Sequence, residues 1–526
     1  MSEYDNTPAV GGSAADTPSQ HHSSRRHGSN KVTVILWIVW AVQFLAEAVA
    51  FIAILRLNML PNLLLGLVAA GFVLMLVFTL CFFLVKKRSG RHRRMSGLNI
   101  AGIVISALIV IGCIVGCWAI GVLNASLKNV TQPPDVQSEA FGVYVLKESP
   151  HSTLPAMTNL RFGVSAQNQT DTALLMQNVE EAAGQQLRSE VYQSNTDLVK
   201  ALYDGDMDAI VISVAMAALL EESEYDDFED RTRQIYEFML DSDPTVPEDT
   251  QAEKNKDFEK SDEAYLIYLS GSDTRNERLT TSRSDVNILV AVNLDTHQVM
   301  MVNTPRDYYV QTTVSGDAYD KLTHAGVYGI KCSIGTLEHL YGVGVDYYAQ
   351  INFTGFEKLI DAIGGVTVYS DVAFTTKHGG YQIHEGNNDL DGAAALGFAR
   401  ERYALSGGDN DRGKNQMKII SAVIDKMSAT TVLTNYASIM DSLNGMFVTN
   451  VPVEEISRLV KRQLTDNAKW TVHSYAVTGR GGFDVTYSMP QQNLYVMYQS
   501  EVSVDKAQIL LKKVLAGEAV TDADLN

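Results

Sequence analysis

Three long apolar runs stand near the start of this sequence. They span residues 32–55, about 57–85 and about 98–123, and each is long enough to cross the roughly 30 Å hydrocarbon core of a bilayer as a helix. The chain is therefore predicted to have three transmembrane helices within residues 32–123. Residues 1–31 are rich in Ser, Gly, Pro, His and Asp and show no apolar periodicity, which predicts a disordered tail.

The distribution of basic residues predicts how these helices are oriented. Six Lys and Arg residues lie between positions 86 and 94 and three precede the first run, whereas the loop after the first run has only Arg56. Because loops rich in Lys and Arg stay on the cytoplasmic side, we predict a multi-pass protein of the cell membrane with a cytoplasmic N-terminus. Everything after residue 123 is then extracellular.

The part of the chain after the apolar runs is strongly acidic. The first 123 residues contain ten Lys and Arg against four Asp and Glu, which leaves 32 basic and 57 acidic residues for the remainder. This balance argues against a nucleic-acid partner, because phosphate backbones require clustered positive charge. The remainder has a single cysteine, Cys332, so no internal disulfide is predicted there. An extracellular protein without disulfides favours a bacterial surface of the Gram-positive type.

The acidic part begins with a predicted small domain. Buried strands at 143–146 and 209–212 enclose helical patterns at 171–187 and 198–202, so residues 124–220 are expected to form an extracellular α/β accessory domain. Residues 221–262 are very acidic and contain two prolines, which predicts an acidic linker with some helix.

Residues 263–526 are predicted to form a second, larger α/β domain. Its pattern alternates buried strands with amphipathic helices. The predicted strands are 265–269, 287–293, 299–302 and 366–369, and the predicted helices are 353–363, 391–398 and 411–427.

Three clusters of arginine and aspartate punctuate this larger domain. They contain Asp273, Arg275, Arg283 and Asp285; Arg306 and Asp307; and Arg400, Arg402, Asp409, Asp411, Arg412 and Gln416. All three clusters fall at predicted strand ends, where open α/β sheets bind ligands. Arg400 and Arg402 share a face if the segment is extended, and Arg412 and Gln416 share a face of a helix.

Converging arginines of this kind require an anion. Planar guanidinium groups match phosphate oxygens in a bidentate manner. Carboxylates in the same place would repel that anion unless a hard cation lies between them, and Mg²⁺ binds through one or two carboxylates together with substrate phosphates. The residues therefore indicate a site for Mg²⁺ and a diphosphate. The alternative is a set of surface salt bridges.

The same residues resemble the LytR–CpsA–Psr family of bacterial cell-wall glycopolymer ligases over about residues 262–485. The matching motifs occur in the family's order: Asp273, Arg275, Arg283-Ser284-Asp285, Pro305-Arg306-Asp307, Asn352-Phe353-Thr354-Gly355-Phe356, Asp361 to Val366, Arg400-Glu401-Arg402 and Asp411-Arg412 to Gln416. Three membrane helices and an extra domain resemble the capsule-associated branch. His324 departs from the asparagine that many members have there, and Ser272 departs from an aliphatic residue.

The resemblance implies a three-layer α/β/α catalytic domain with a C-terminal extension. Mg²⁺, or Mn²⁺ in its place, would be held by Asp273 and Asp285. The implied diphosphate ligands are Arg275, Arg283, Arg306, Arg400, Arg402, Arg412 and Gln416. Arg283 and Arg306 would also act in catalysis, with Asp409 or Asp411 as a base, and a polyprenyl chain would lie in an apolar tunnel beneath the sheet.

The activity that this resemblance implies is that of a transferase. It would attach a polyprenyl-diphosphate-linked polysaccharide, of the capsular or exopolysaccharide type, to peptidoglycan on the outer face of the membrane. Three alternatives stay open: a lipid-diphosphate phosphatase that uses water as the acceptor, a wall teichoic acid ligase, and a non-enzymatic membrane regulator of envelope synthesis.

Overall fold

The structure is a computed structural model that describes residues 31–84, 96–131, 137–154, 159–167, 171–242, 258–274, 279–314, 316, 318–426, 439, 443, 445–466 and 468–525. The predicted tail, apart from residue 31, and the basic loop at 86–94 lie outside these residues. The chain divides into two compact units, one with residues 1–56 and 62–119 and the other with residues 57–61 and 120–526.

The first unit is built from long apolar helices. The three helices are α1 (Lys31–Leu57), α2 (Asn62–Leu84) and α3 (Gly97–Thr131), the last of which continues into the second unit. By length and composition, Val32–Leu57, Asn62–Leu84 and Gly97–Lys128 could each cross a membrane. The prediction of three such helices is confirmed, and α3 extends past the predicted limit at residue 123.

The second unit begins with a five-stranded sheet in the order β3-β2-β4-β1-β5. Its strands are β1 (Gln137–Leu146), β2 (Arg161–Ser165), β3 (Arg188–Tyr192), β4 (Ala209–Ser213) and β5 (Thr232–Ser242). Its helices are α4 (Thr172–Ala183), α5 (Asn195–Asp204), α6 (Val214–Leu219) and α7 (Phe228–Arg231), and a 3₁₀ turn at Leu220–Glu222 follows α6. This sheet and its helices form the accessory domain.

Strand β5 corrects the predicted acidic linker. Residues 232–242 pair with β1 along its whole length, so the sheet of the accessory domain extends beyond residue 220 to residue 242. The overall acidity of residues 221–262 predicts a linker, but buried and exposed side chains alternate within β5. Phe238 is buried and stacks on Phe141, with 5.8 Å between the ring centroids. Its neighbour Glu237 is exposed. Residues 243–257 of the predicted linker lie outside the described residues.

The larger domain is centred on a six-stranded mixed sheet in the order β16-β11-β6-β7-β8-β17. These strands are β6 (Ala264–Ser272), β7 (Ser284–Asn293), β8 (Gln298–Asn303), β11 (Tyr347–Asn352), β16 (Phe447–Thr449) and β17 (Thr471–Ala476). Strands β6, β7 and β8 are successive antiparallel neighbours, and β11 and β17 pair in parallel with β6 and β8.

Helices cover both faces of this sheet. On one face, α9 (Ile330–Tyr341) and α14 (Glu501–Leu515) bury Leu337 and Leu511 against β6, β7 and β8. On the other face, α12 (Asp409–Lys426) packs Met417 against Ile288 and Met301. The three-layer α/β/α prediction is therefore confirmed.

The remaining elements are short or lie outside the central layers. The helices are α8 (Leu322–Ala325), α10 (Phe353–Ala362), α11 (Gly392–Arg400), α13 (Val453–Asp466) and α15 (Asp522–Leu525). The strands form four small antiparallel pairs: β9 (Tyr309–Gln311) with β10 (Tyr319–Lys321), β12 (Val366–Ser370) with β15 (Gly386–Leu390), β13 (Phe374–Thr375) with β14 (Gln382–Ile383), and β18 (Gly479–Val485) with β19 (Asn493–Gln499).

Candidate active site

The antiparallel arrangement of β6, β7 and β8 brings two of the Arg–Asp clusters to one edge of the sheet. Ser272, the last residue of β6, pairs with Ser284, the first residue of β7, so Asp273 lies beside Arg283 and Asp285. Strand β8 runs antiparallel to β7 and ends at the same edge. Arg306 follows β8 after a short turn and completes the group.

A cavity of about 550 Å³ opens at this edge. Its charged and polar lining residues are Glu222, Asp273, Arg283, Asp285, Arg306, Asp307, Lys321, Asn352, His378, Arg400, Arg402, Tyr403, Arg412, Gln416 and Tyr495. Its apolar lining residues are Gly271, Val286, Ile351, Phe353, Phe356, Leu396, Ala399, Ile419 and Ile420. The cavity therefore joins a dense group of cations to an apolar surface between the sheet and α10–α12.

Three arginine–aspartate pairs line or adjoin the cavity. The shortest N···O distances are 2.7 Å for Arg283–Asp273, 2.7 Å for Arg306–Asp285 and 2.5 Å for Arg412–Asp409. Arg306 is largely buried and lies near several acids. Burial disfavours its charge, but the surrounding carboxylates, Asp285 foremost, raise the pKa of Arg306 above its ordinary value.

The backbone that positions Arg400 and Arg402 differs from the predicted extended segment. Arg400 is the last residue of α11, not part of an extended segment, and its guanidinium lies over the Phe353 ring, 4.4 Å from the centroid. Arg402 lies 4.7 Å from the centroid of the Tyr403 ring and donates a hydrogen bond of 2.6 Å to the Tyr403 hydroxyl. Both arginines line the cavity, although the premise of an extended segment was wrong.

Arg412 and Gln416 lie one helical turn apart at the start of α12. Both are buried and both line the cavity, as their spacing predicts. Gly413 lies between them, and a Cβ at that position would collide with the side chain of Asn303. A glycine here lets the helix approach the end of β8 closely, which brings Arg412 and Gln416 to the sheet edge.

The two candidate bases occupy different positions. Asp409 is half-buried and pairs with Arg412, and desolvation, together with the charge of Asp307, raises the pKa of Asp409. Asp411 instead accepts a 2.8 Å hydrogen bond from the backbone N–H of Gly407 and pairs with Lys414 at 3.0 Å. Neither aspartate is among the residues that line the cavity. Arg275, a further predicted ligand, lies outside the described residues.

The carboxylates of Asp273 and Asp285 fit a divalent cation only in part. Burial and the negative charge of Asp285 raise the pKa of Asp273, which indicates a carboxylate pair that a cation would relieve. Burial opposes the charge of Asp285 too, but Arg306, Arg412 and Arg283 hold its pKa below the usual range. Within the described ranges no group of three or more His, Cys, Asp or Glu side chains is arranged for a metal ion. Two carboxylates suffice for Mg²⁺ when substrate phosphates supply further ligands.

Glu222 is a cavity residue that the sequence did not reveal. It belongs to the 3₁₀ turn of the accessory domain, yet its carboxylate lies 2.7 Å from Arg306 Nη2 and 3.4 Å from Arg283 Nη1, and it also pairs with Lys321. Burial opposes the charge of Glu222, but His324, Arg306 and Lys321 hold its pKa far below the ordinary value. No local motif marks position 222, because its role arises only when the two domains pack together.

Lys321 and His324 are buried next to Glu222. The side chain of Lys321 is 5% exposed. His324 is fully buried, with Nδ1 2.6 Å from Asp320 and Nε2 3.8 Å from Glu222. Burial lowers the pKa of His324, but Asp320 and Glu222 outweigh burial and raise it. The residue that departs from the family pattern thus faces the accessory domain.

The chain is similar to known proteins. The LytR_cpsA_psr family model matches residues 235–512. The polyisoprenyl-teichoic acid–peptidoglycan teichoic acid transferase TagU of Oceanobacillus iheyensis is 35% identical over 227 residues, which cover 42% of this chain and 68% of the relative. The corresponding transferase TagT of Bacillus subtilis (strain 168) is 34% identical over 211 residues, which cover 38% of this chain and 64% of the relative.

Solved structures match about half of the chain. The crystal structure of B. subtilis TagV is 23% identical, with a TM-score of 0.41, and the match covers 49% of this chain and all of TagV. The structure of TagT bound to LI-WTA is 26% identical, with a TM-score of 0.40, and covers 49% of this chain and 94% of TagT. Since the family model covers more than half of the sequence, the chain belongs to the LytR_cpsA_psr family.

Proposed function

We propose that the protein transfers a glycopolymer from a polyprenyl diphosphate carrier to peptidoglycan. The observation that carries this proposal is the cavity in which six cationic side chains adjoin an apolar surface. Guanidinium groups match the oxygens of a diphosphate, and apolar side chains favour a hydrocarbon chain because its burial removes apolar area from water. A carrier that joins a diphosphate to a lipid combines both features.

The chain's own residues account for most of the proposed reaction. Arg283, Arg306, Arg400, Arg402 and Arg412 would hold the diphosphate and stabilise the negative charge that develops on its oxygens. A peptidoglycan hydroxyl attacks the phosphorus next to the glycan, the bridging P–O bond breaks, and the lipid monophosphate leaves. Of the two predicted bases, Asp409 is the better candidate to receive the hydroxyl proton, because it pairs with the cavity residue Arg412 whereas Asp411 pairs with exposed Lys414. Its raised pKa also makes it more basic than an ordinary aspartate.

The proposal includes Mg²⁺ held by Asp273 and Asp285, with Mn²⁺ as a substitute. When bound, the cation would neutralise charge on the phosphate oxygens. Both aspartates line the cavity and pair with Arg283 and Arg306. To test the metal, the transfer rate is measured after treatment with a chelator and again during a titration with Mg²⁺.

The location of the reaction depends on the proposed topology. The N-terminus and the basic loop at 86–94 would be cytoplasmic, and both α/β domains would lie on the outer face of the cell membrane, where peptidoglycan is available. Three helices that are long and apolar enough to cross a membrane support this arrangement, and the positive charge of the second loop supports its direction.

The transferred polymer is proposed to be a capsular polysaccharide or exopolysaccharide. This choice rests on the resemblance of the three helices and the accessory domain to the capsule-associated branch. Teichoic acid is a second candidate, because the relatives TagU and TagT carry it in their names. Those relatives match 42% and 38% of this chain, a share that leaves most of its length unmatched.

Product analysis tests the proposal. The full chain in detergent is incubated with a prenyl-diphosphate-linked glycan, with and without peptidoglycan fragments, and the products are measured by mass spectrometry. We expect a glycan–peptidoglycan adduct and lipid monophosphate only when the acceptor is present. Glycan phosphate released into water at the same rate without acceptor would identify a phosphatase. Binding without turnover would identify a regulator, and parallel donors with teichoic acid and with polysaccharide separate the two polymers.

A further inference from the structure

The accessory domain is joined to the catalytic domain by a buried contact. Leu219 and Leu220 of the accessory domain belong to one apolar cluster with Val327, Tyr328 and Met489 of the catalytic domain. Hydrogen bonds add to this contact: the backbone N–H of Glu224 donates to Gln492 at 3.0 Å, and Gln491 donates to Asp197 at 3.1 Å. The 3₁₀ turn that carries Glu222 is therefore held in place at the cavity.

Glu222 occupies the position that an anion would take between cations. One carboxylate oxygen contacts Arg306 and Arg283, and the other contacts Lys321. Phosphate oxygens bind such groups in the same way. The carboxylate is thus a fixed negative charge among these cations, while Arg400 and Arg402 line the same cavity and contact aromatic rings.

The charges that line the cavity match a particular class of ligand. Six cationic side chains and four carboxylates line it, which leaves a balance of two positive charges; without Glu222 the balance would be three. A diphosphate with both phosphates esterified carries two negative charges. A bare prenyl diphosphate carries about three, because its terminal phosphate has a second ionisation near pH 6.

We propose that Glu222 is a specificity-determining residue, which favours a carrier with both phosphates esterified over a bare prenyl diphosphate. The inference rests on the proposed function, since it concerns the choice among ligands of the same diphosphate site. The repulsion between the Glu222 carboxylate and a terminal phosphate is greatest for the ligand with the additional charge. This repulsion lowers the affinity of the site for a bare lipid diphosphate, which has no glycan to transfer.

The test compares two ligands with one substitution. Farnesyl diphosphate and a farnesyl diphosphate esterified with N-acetylglucosamine are titrated into the full chain in detergent, with and without Mg²⁺. Glu222→Gln should improve the affinity for the bare diphosphate more than the affinity for the esterified one, and shift the ratio of the two dissociation constants by on the order of tenfold. Glu237→Gln, which removes an exposed carboxylate of the same domain away from the cavity, should leave the ratio unchanged.

The outcomes separate this inference from the proposed function. A ratio that stays constant in Glu222→Gln overturns the inference even if both affinities change, because a purely structural role would weaken both ligands alike. An equal shift in Glu237→Gln also overturns it. If the wild-type chain binds neither ligand, the proposed function fails together with the inference. If Glu222→Gln does not fold, Glu222→Ser provides the same comparison, because the small serine side chain leaves room for water to solvate Lys321.

Discussion

Arg402 is held by an aromatic side chain at the rim of the cavity. Its guanidinium lies over the Tyr403 ring and donates to the Tyr403 hydroxyl, so its planar face is oriented before any ligand arrives. The ring of Tyr403 also contacts Lys377, whose ammonium lies 3.7 Å from the centroid. A guanidinium fixed in this way can direct two N–H groups toward phosphate oxygens, whereas an ammonium offers a single point charge.

Arg402→Lys should therefore bind diphosphates poorly despite its unchanged charge. Complete loss of the Arg402 contact would cost on the order of 2–5 kcal/mol, which corresponds to roughly thirty-fold or more in affinity. Lysine restores the charge but not the bidentate contact. The measurement is a titration of a short-chain prenyl diphosphate into the wild-type and variant chains in detergent. Arg480→Lys is the matched control, because Arg480 also lies over a tyrosine, Tyr498, outside the cavity. Equal dissociation constants for Arg402→Lys and wild type would remove Arg402 from the ligands.

At the scale of elements, strand β1 of the accessory domain carries a buried acid. Glu139 is 9% exposed. Burial raises its pKa from the usual 4.5 to about 7, although the interaction with the Ser213 side chain partly lowers that pKa. The folded domain therefore binds a proton more tightly than the unfolded chain does. The associated stability is fully present below pH 4.5 and is lost as the pH rises through about 7.

We expect the accessory domain to lose about 3 kcal/mol of its free energy of unfolding between about pH 4.5 and about pH 7.5 through this group. Glu139→Gln should remove most of this dependence and stabilise the domain at the upper end of that range. Pulse proteolysis in urea, with the accessory fragments followed by mass spectrometry, measures the effect in the full chain. Glu237→Gln should keep the wild-type slope, and a wild-type slope in Glu139→Gln would show that Glu139 does not titrate in this range.

Local patterns were sufficient to predict most elements of the catalytic domain. Helix α10 begins after Asn352, whose side chain accepts a hydrogen bond from the N–H of Gly355, and the chain leaves it through Gly364 and Gly365, both with positive φ. Such start and stop signals are encoded within a few residues. The apolar face of α12 and the hairpin of β7 and β8 were visible for the same reason.

The features that escaped prediction depend on contacts between distant residues. Strand β5 lies within residues 221–262, whose overall acidity predicts a linker, and its pairing with β1 places it in the sheet of the accessory domain. Arg400 ends a helix whose length cannot be set to one residue from the sequence. Glu222 lies 61 residues before Arg283 along the chain, and nothing near it indicates that it contacts the cationic side chains of the cavity. The spacing of residues along the sequence predicts which side chains meet within one helix or strand. It does not predict which side chains meet when two domains pack together.

At the scale of the whole molecule, the proposed orientation in the membrane can be tested directly. Protease added to intact spheroplasts should remove the chain after residue 123, because both α/β domains would be outside. The basic loop at 86–94 should be spared, since it would face the cytoplasm. Terminal tags and immunoblotting identify the fragments, and permeabilised cells, in which the loop becomes accessible, are the control. Cleavage of that loop from outside would contradict the orientation.

The contact of Glu222 with Arg306, Lys321 and His324 has a consequence for how such proteins are inherited. A recombination event that gave this larger domain a foreign accessory domain would leave buried Lys321 with Asp307, 3.6 Å away, but without the closer Glu222 carboxylate. Removing a partner from a buried charge is costly. The reverse exchange would place Glu222 against a surface that lacks matching cations. We therefore expect the two domains to pass between lineages as one unit, with positions 222, 321 and 324 changing together.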